Sequence, residues 1–284
     1  MAKKGKPAAK LKTPPAAPGS ADAGRPLKVL MCVPAYGGSV RIETMRTVSE
    51  GMISIMGQFP GTTMSLMCID LAEIGRVRNM FATALLDQGH DVAFMVDADM
   101  SFPAGVFAAL LKSEHEVCGL TYPKRQIDLE AFYNGAQSGL TLEECRHRAL
   151  TFIGHDDVVL HDGRIEIRNG FTEMRAIPGG CLMIRRRVVE RIAEAHPELI
   201  RPADPGSAEA NVRLTRVVGC FDPWTHNGKM ASEDISFCHR WRAIGGKVMA
   251  MPDIDVNHHG QMAFQGNYFK SLALTAKTKG WTTT

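Results

Sequence analysis

Residues 91–103 read DVAFMVDADMSFP, an apolar run that stops at Asp97 and Asp99. Carboxylates at the tip of a buried strand cost desolvation unless a cationic side chain, a helix end or a metal ion stands beside them. In extended backbone, alternate side chains face the same way. A D-x-D pair at a strand end therefore projects both carboxylates together. Hard divalent cations such as Mg2+ and Mn2+ take that oxygen array, with water and phosphate oxygens completing the shell. Spacing alone does not choose this pair, because Asp253-Ile254-Asp255 repeats it.

The elements that must position these residues alternate along the chain. LKVLMCVPA predicts a buried strand, residues 40–57 a helix, and TTMSLMCID a second strand. Residues 75–89 predict a second helix closed by Gly89, and DVAFMV a third strand. Ser101 is suited to cap a further helix with Pro103 in its first turn, and HEVCGLTY supplies a fourth strand. Apolar runs alternating with amphipathic helices indicate an α/β fold with a doubly wound, mixed but mostly parallel sheet flanked by helices. Ligands of such sheets sit at the carboxyl ends of the strands, which is where Asp97 and Asp99 fall.

The second half is more mixed. VVLHDGRIEI predicts a hairpin turning at Asp162-Gly163, and two short strands flank Gly179-Gly180. A helix follows near 187–196, then a polar surface loop over 197–216. SEDISFCHRWRAIGG predicts a helix, and a last strand stops at His258-His259. The division expected is a disordered basic tail over 1–26, one domain over 27–265 and a C-terminal extension over 266–284.

Composition narrows the function. With 45% hydrophobic and 22% charged residues, the 284-residue chain reads as an ordinary soluble globular protein. No apolar run reaches the roughly 18–20 residues that span a bilayer, and no secretory signal is seen. A cytoplasmic location without integral membrane association is expected. The seven cysteines are scattered and form no CxxC pair, against a zinc knuckle or a disulfide framework. Residues 1–26 carry six basic side chains against Asp22, a charge of +5, and the remainder sums to −2. Any weak nucleic-acid contact is thus expected through the tail. No GKS/T phosphate loop, GxSxG elbow or HExxH helix is present.

Six segments, in order, resemble one family. VPAY closes the first strand, IGRVRNMFATALL precedes the third, and FMVDADM carries the D-x-D. GGCLMIRR, SEDISFCHRWRAIGGKV and NHHG follow. Together they resemble GT-A fold, family 2-like nucleotide-sugar-dependent glycosyltransferases over roughly residues 27–262. The resemblance implies transfer of a sugar from a nucleoside-diphosphate donor to a hydroxyl-bearing acceptor, with inversion and with Mn2+ or Mg2+ as cofactor. It implies that Asp99 ligates the metal and that Asp97 holds the ribose or reaches the metal through water. His258, ahead of Gly260, would be the late ligand, with His259 as the alternative. Asp234, beside Glu233, would be the base that deprotonates the acceptor. Arg78 would face the donor, and the pocket would begin at Pro34.

Other readings of the same residues stay open. Ser232, Glu233 and Asp234 also suit the first turn of a helix. A cation at the helix start, as at Arg78, is unfavourable to the dipole unless an anion lies near. Tyr36 is placed to line a base pocket, with Asp70 to hydrogen-bond the base. Gly179 and Gly180 permit backbone amides to approach a sugar, or simply a tight turn. The rival functions are a nucleotidyltransferase and a non-catalytic nucleotide- or glycan-binding module. The first lacks its usual lysine-rich glycine loop in VPAYGGSVRIET.

Overall fold

The computed structural model describes residues 26–226, 228–260, 263–279 and 282–283. The basic tail lies outside the described residues, save Pro26. In chain order the elements used below are β1 (Lys28–Pro34), α1 (Ile42–Gln58), β2 (Thr63–Ile69), α2 (Ile74–Asp87), β3 (Val92–Val96), β4 (Met100–Ser101) and α3 (Gly105–Lys112). Next come β5 (Val117–Gly119), β6 (Pro123–Ile127), α4 (Leu129–Gln137), α5 (Leu142–Arg148), β7 (Leu150–Phe152), β8 (Thr172–Met174) and β9 (Cys181–Arg185). The last are α6 (Arg186–Ala195), α7 (Glu233–Ala243), β10 (Val248–Ala250), β11 (Asp255–His259), β12 (Ala263–Asn267) and α8 (Tyr268–Lys279).

A seven-stranded sheet in the order β8-β10-β5-β9-β3-β1-β2 forms the centre. Strands β2, β1, β3, β5 and β10 run one way, while β9 and β8 run against them. The fold is therefore a mixed α/β sheet, mostly parallel and flanked by helices, as the alternating pattern predicts. Side chains alternate cleanly between its faces. Leu30, Cys32, Ala93, Met95, Leu182 and Ile184 join the core under α2, α6 and α7. Val29, Met31, Val92, Phe94 and Met183 pack under α1 and α3 on the other face. Strands buried on both faces need the near-continuous apolar runs seen here.

Local chemistry ends the elements where expected. Gly89 adopts φ +72°, and the amides of Gly89 and His90 bond back to Leu86 and Leu85, a left-handed helix stop that favours glycine. Asp162 and Gly163 both take positive φ and join the two strands of a short hairpin over 160–165.

Two expectations are corrected. Ser101 caps no helix: it lies in β4, and α3 starts only at Gly105. Residues 197–216 are not a plain surface loop. They hold short strands at Ile200–Pro202 and Arg216–Val218 and a turn of helix at Ala208–Asn211, wrapped round the wholly buried Glu209. That carboxylate accepts from Arg76 at 2.9 Å, Arg201 at 3.1 Å and the Asp204 amide at 2.7 Å, so buried charge organises a polar sequence. Strand β12 runs through position 265, and Tyr268 and Leu272 of α8 are buried.

Six of the seven cysteines are buried and all are free thiols; Cys68 is the exposed one. Among the described residues, no helix is long and apolar enough to cross a membrane.

Candidate functional site

The chain does not stay extended through Asp97-Ala98-Asp99. β3 ends at Val96, and the Met100 amide bonds back to the Asp97 carbonyl at 3.1 Å, closing a turn. The two carboxylates therefore take different partners, contrary to the projection expected of a strand. Asp97 turns toward α2, and Asp99 turns toward β6 and β11.

Arg78 is the partner of Asp97. Its Nη2 donates to Asp97 Oδ1 at 2.8 Å, and its Nη1 donates to Glu233 Oε1. The side chain is only 3% exposed, which excludes a solvated arginine. Burial works against its charge, but Asp97 and Glu233 beside it prevail, and its pKa lies above the ordinary value. Burial also pushes the Glu233 carboxyl up, with Arg78 opposing. The cations near the start of α2 thus gather carboxylates at the end of a helix dipole that favours them.

Gly179 and Gly180 make this packing possible. A Cβ at Gly179 would lie 2.1 Å from the Arg78 guanidinium carbon, and one at Gly180 would lie 2.6 Å from the Tyr122 ring. Their polar groups are engaged within the protein. The Gly179 amide donates to Asp234 Oδ2 at 3.3 Å, and the Gly180 amide donates to the Tyr122 hydroxyl at 3.1 Å. The Gly180 carbonyl receives the Asp97 amide at 3.1 Å. One dipeptide therefore touches both Asp97 and Asp234. Asp234 also accepts from the Ser232 hydroxyl and from the Ile235 amide at 2.8 Å, which fixes its carboxylate at the start of α7. Ser232 makes no side-chain cap of its own.

Asp99 meets two cationic or basic groups from elements far away in sequence. Arg125 Nη1 lies 3.0 Å from Asp99 Oδ2, and His258 Nε2 lies 3.6 Å from the same oxygen. Pairing of β4 with β11, which sets His258 opposite Met100, brings the histidine here. His259 faces the other way, its Nε2 at 2.7 Å from Ser101 Oγ. Of the two candidates, His258 is the one beside Asp99. Burial raises the Asp99 carboxyl, but His258 and Arg125 outweigh it and hold its pKa below the usual value.

Do these residues fit a divalent cation? The Pro123 carbonyl accepts from His258 Nδ1 at 2.9 Å, which fixes the ring and turns Nε2 toward Asp99. A ring nitrogen anchored on a carbonyl is the common arrangement of a metal-ligating histidine. The 3.6 Å gap is too long for a hydrogen bond. Among the described residues, no group of three His, Cys, Asp or Glu side chains is arranged to hold a metal. Asp99 and His258 bring one carboxylate and one imidazole nitrogen to the cleft, two donor groups that could hold a cation only if water and phosphate supplied the rest of its shell. Asp97 is committed to Arg78. Asp253 of the second D-x-D instead receives the Asn267 amide at 2.8 Å.

Pro34, Tyr36, Asp97, Asp99 and His258 line one open cleft of about 520 Å³, together with Arg41, Tyr122 and Arg125. Asp70 stands behind it, accepting from the Gly37 amide at 2.8 Å and so pinning the Tyr36 turn. Sequence reasoning missed Tyr122 and Arg125. Both follow β5, whose carboxyl end points at the cleft, and that position was the available signal. Tyr122 is 5% exposed; burial and then Asp97 push its hydroxyl pKa well up, so it stays protonated. A second cavity of about 570 Å³ borders edge strand β8, where Lys247 and Glu173 pair at 2.8 Å. Trp224 lies against His239, with ring centroids 4.7 Å apart and the rings tilted by 34°.

No protein-family model matches the sequence, and no curated protein matches it. Among solved structures, A197 from STIV is 13% identical, with 82% of this chain and 86% of that chain covered and a TM-score of 0.41. Apo UDP-glucose pyrophosphorylase is 10% identical, with 90% and 100% covered and a TM-score of 0.38. The 4-diphosphocytidyl-2C-methyl-D-erythritolsynthase from Anaerococcus prevotii DSM 20548 is 8% identical, with 77% and 96% covered and a TM-score of 0.28. Likeness at this level establishes neither a shared fold nor a shared activity.

Proposed function

We propose that this protein is a metal-dependent glycosyltransferase that moves a sugar from a nucleoside-diphosphate donor to an acceptor hydroxyl, with inversion. One observation carries the reading. Residues from three distant segments, Pro34 and Tyr36, Asp97 and Asp99, and His258, line one cleft, and Gly179-Gly180 joins its Asp97 wall to Asp234.

In this reading Pro34 and Tyr36 receive the base, while Asp70 holds their turn. Asp99 and His258 hold Mn2+ or Mg2+. The bound cation would neutralise charge growing on the departing diphosphate. Arg78 fixes Asp97 toward the ribose, and Gly179 and Gly180 set the spacing between donor and base. Asp234 accepts the proton of the acceptor hydroxyl as that oxygen bonds to the anomeric carbon. The bond from that carbon to the diphosphate oxygen breaks, and its electron pair leaves with the diphosphate. Glu233, bound to Arg78, keeps the neighbouring carboxylate in place.

The test is a thermal-shift panel of UDP, GDP, CDP, TDP and ADP, each with Mn2+, Mg2+ or EDTA. One nucleotide is expected to raise Tm by about 5 °C or more at a hundredfold excess over Kd, and only with metal. Asp99→Ala should abolish that shift. Failure of every nucleotide to stabilise a folded sample would overturn the reading.

A further inference from the structure

We propose that Arg125 holds the Asp99 carboxylate until a divalent cation displaces it, and that the displaced guanidinium then binds the diphosphate, so that metal and nucleotide load together. The inference rests on the donor-site reading above and assigns the cleft a coupling residue.

Arg125 and His258 address the same oxygen. Arg125 Nη1 is 3.0 Å from Asp99 Oδ2, and His258 Nε2 is 3.6 Å from it. A cation held by Asp99 and His258 must therefore compete with the guanidinium. The competition is easy to win. The Arg125 side chain is 49% exposed, and an ion pair so exposed is weak. Its other contact is a 3.3 Å bond to the His259 carbonyl. Strand β6 ties the parts together, because the Pro123 carbonyl that anchors His258 lies two residues before Arg125.

Charge explains why displacement should favour a diphosphate. Asp99 and Arg125 cancel while they are paired. Once a divalent cation holds Asp99, the guanidinium charge is unmatched at the wall of the cleft, and only an anion can answer it. Arg41, whose guanidinium binds the Gly260 carbonyl, lines the same cleft and adds to that field. A cation that frees an arginine for the nucleotide raises nucleotide affinity, and by linkage the nucleotide raises cation affinity by the same factor.

The test compares wild type, Arg125→Ala and Asp99→Ala by binding alone. Mn2+ is titrated by electron paramagnetic resonance without nucleotide, and UDP, GDP, CDP, TDP and ADP are titrated by calorimetry with saturating Mn2+ or with EDTA. Arg125→Ala should bind Mn2+ about 5-fold more tightly and the preferred nucleotide at least about 10-fold more weakly, within the usual range of coupling factors. Its melting temperature should stay near wild type, since the side chain is exposed.

If Asp99→Ala abolishes Mn2+ binding but Arg125→Ala leaves the Mn2+ affinity unchanged or lower, the coupling is overturned and the donor site stands. Nucleotide binding that persists in EDTA and depends on Arg125 would make the guanidinium a permanent counter-charge, again overturning displacement. Absence of Mn2+ binding in wild type, or binding indifferent to Asp99→Ala, would overturn the donor site as well.

Discussion

At the scale of single residues, the site depends on carboxylates that are each fixed by a different neighbour. Asp97 is held by Arg78, Asp99 by Arg125 and His258, and Asp234 by the Gly179 and Ile235 amides. A carboxylate anchored by amides keeps one orientation, which general base catalysis requires. Asp234→Asn keeps the size of the side chain, but its NH2 group cannot accept an amide proton, so it keeps the bonds on one side only, and it cannot take a proton from a hydroxyl. It is expected to lower turnover by about 100-fold or more, within the range for loss of a positioned base. Metal-dependent nucleotide binding should be unchanged. Steady-state kinetics beside calorimetry check this, and full turnover by Asp234→Asn would remove the residue from the chemistry.

At the scale of elements, helix α2 does most of the positioning. Its polar residues Arg76, Asn79 and Thr83 recur at helical spacing and hold the chain between 209 and 222. Arg76 donates to Glu209 at 2.9 Å, Asn79 accepts from the Phe221 amide and donates to Asp222 at 2.7 Å each, and Thr83 accepts from the Val218 amide at 2.9 Å. The segment so pinned runs on to the start of α7, where Gly75 lets the two helix starts approach: a Cβ there would sit 3.3 Å from that of Glu233. On the other side, Gly179 gives Arg78 its room. Gly179→Ala is expected to cost about 1–3 kcal/mol, the usual range for overpacking a filled site. The Cβ would strike a charged group bound at both ends, so the damage should reach Asp97 and Asp234 together. Chemical denaturation measures the loss, and a stability equal to wild type would show that the guanidinium has slack.

At the scale of the whole molecule, stability should depend on pH through buried histidines. His147 is 2% exposed, and neither ring nitrogen has a hydrogen-bond partner among the described residues; Glu143 is 3.8 Å away. Burial, helped by Arg146 and Lys270, lowers its pKa against Glu143 and Asp255. Burial also lowers His90 and His115. In the unfolded chain these rings take up a proton near pH 6.5, whereas in the fold they do so only at lower pH. Between the two values the unfolded chain binds more protons, so stability falls as pH drops below about 6.5 and levels off below the folded values. Urea midpoints at pH 8, 6 and 5 should decline, and His147→Gln should flatten the decline. Glu209 acts in a separate window. Burial raises its carboxyl, but the Asp204 amide, Arg201 and Arg76 hold it at about 2. Its stabilisation is complete above its unfolded value, about 4.3, and is lost only as pH falls toward 2.

The sequence by itself determined the layers of this protein and the identity of its charged tips. Burial on both faces of a sheet demands unbroken apolar runs, so β1, β3 and β9 were legible as Leu30 to Val33, Val92 to Val96 and Cys181 to Ile184. Helix stops such as Gly89 and the Asp162-Gly163 turn were legible because positive φ restricts the residue type. The aspartates and the His258-His259 pair stood out as polar residues ending strands, but only the resemblance to a family singled out Asp97, Asp99 and His258 among them. Only the tertiary structure decided how they meet. The turn after Val96 parts the two carboxylates, and the pairing of β4 with β11 sets His258 rather than His259 beside Asp99. Arg125 reaches Asp99 through β6, and Arg78 is buried between Asp97 and Glu233. A local pattern reports which face a residue takes within its own element. Ion pairs and strand pairings between residues 19 to 158 positions apart depend on long-range packing, which no local pattern encodes.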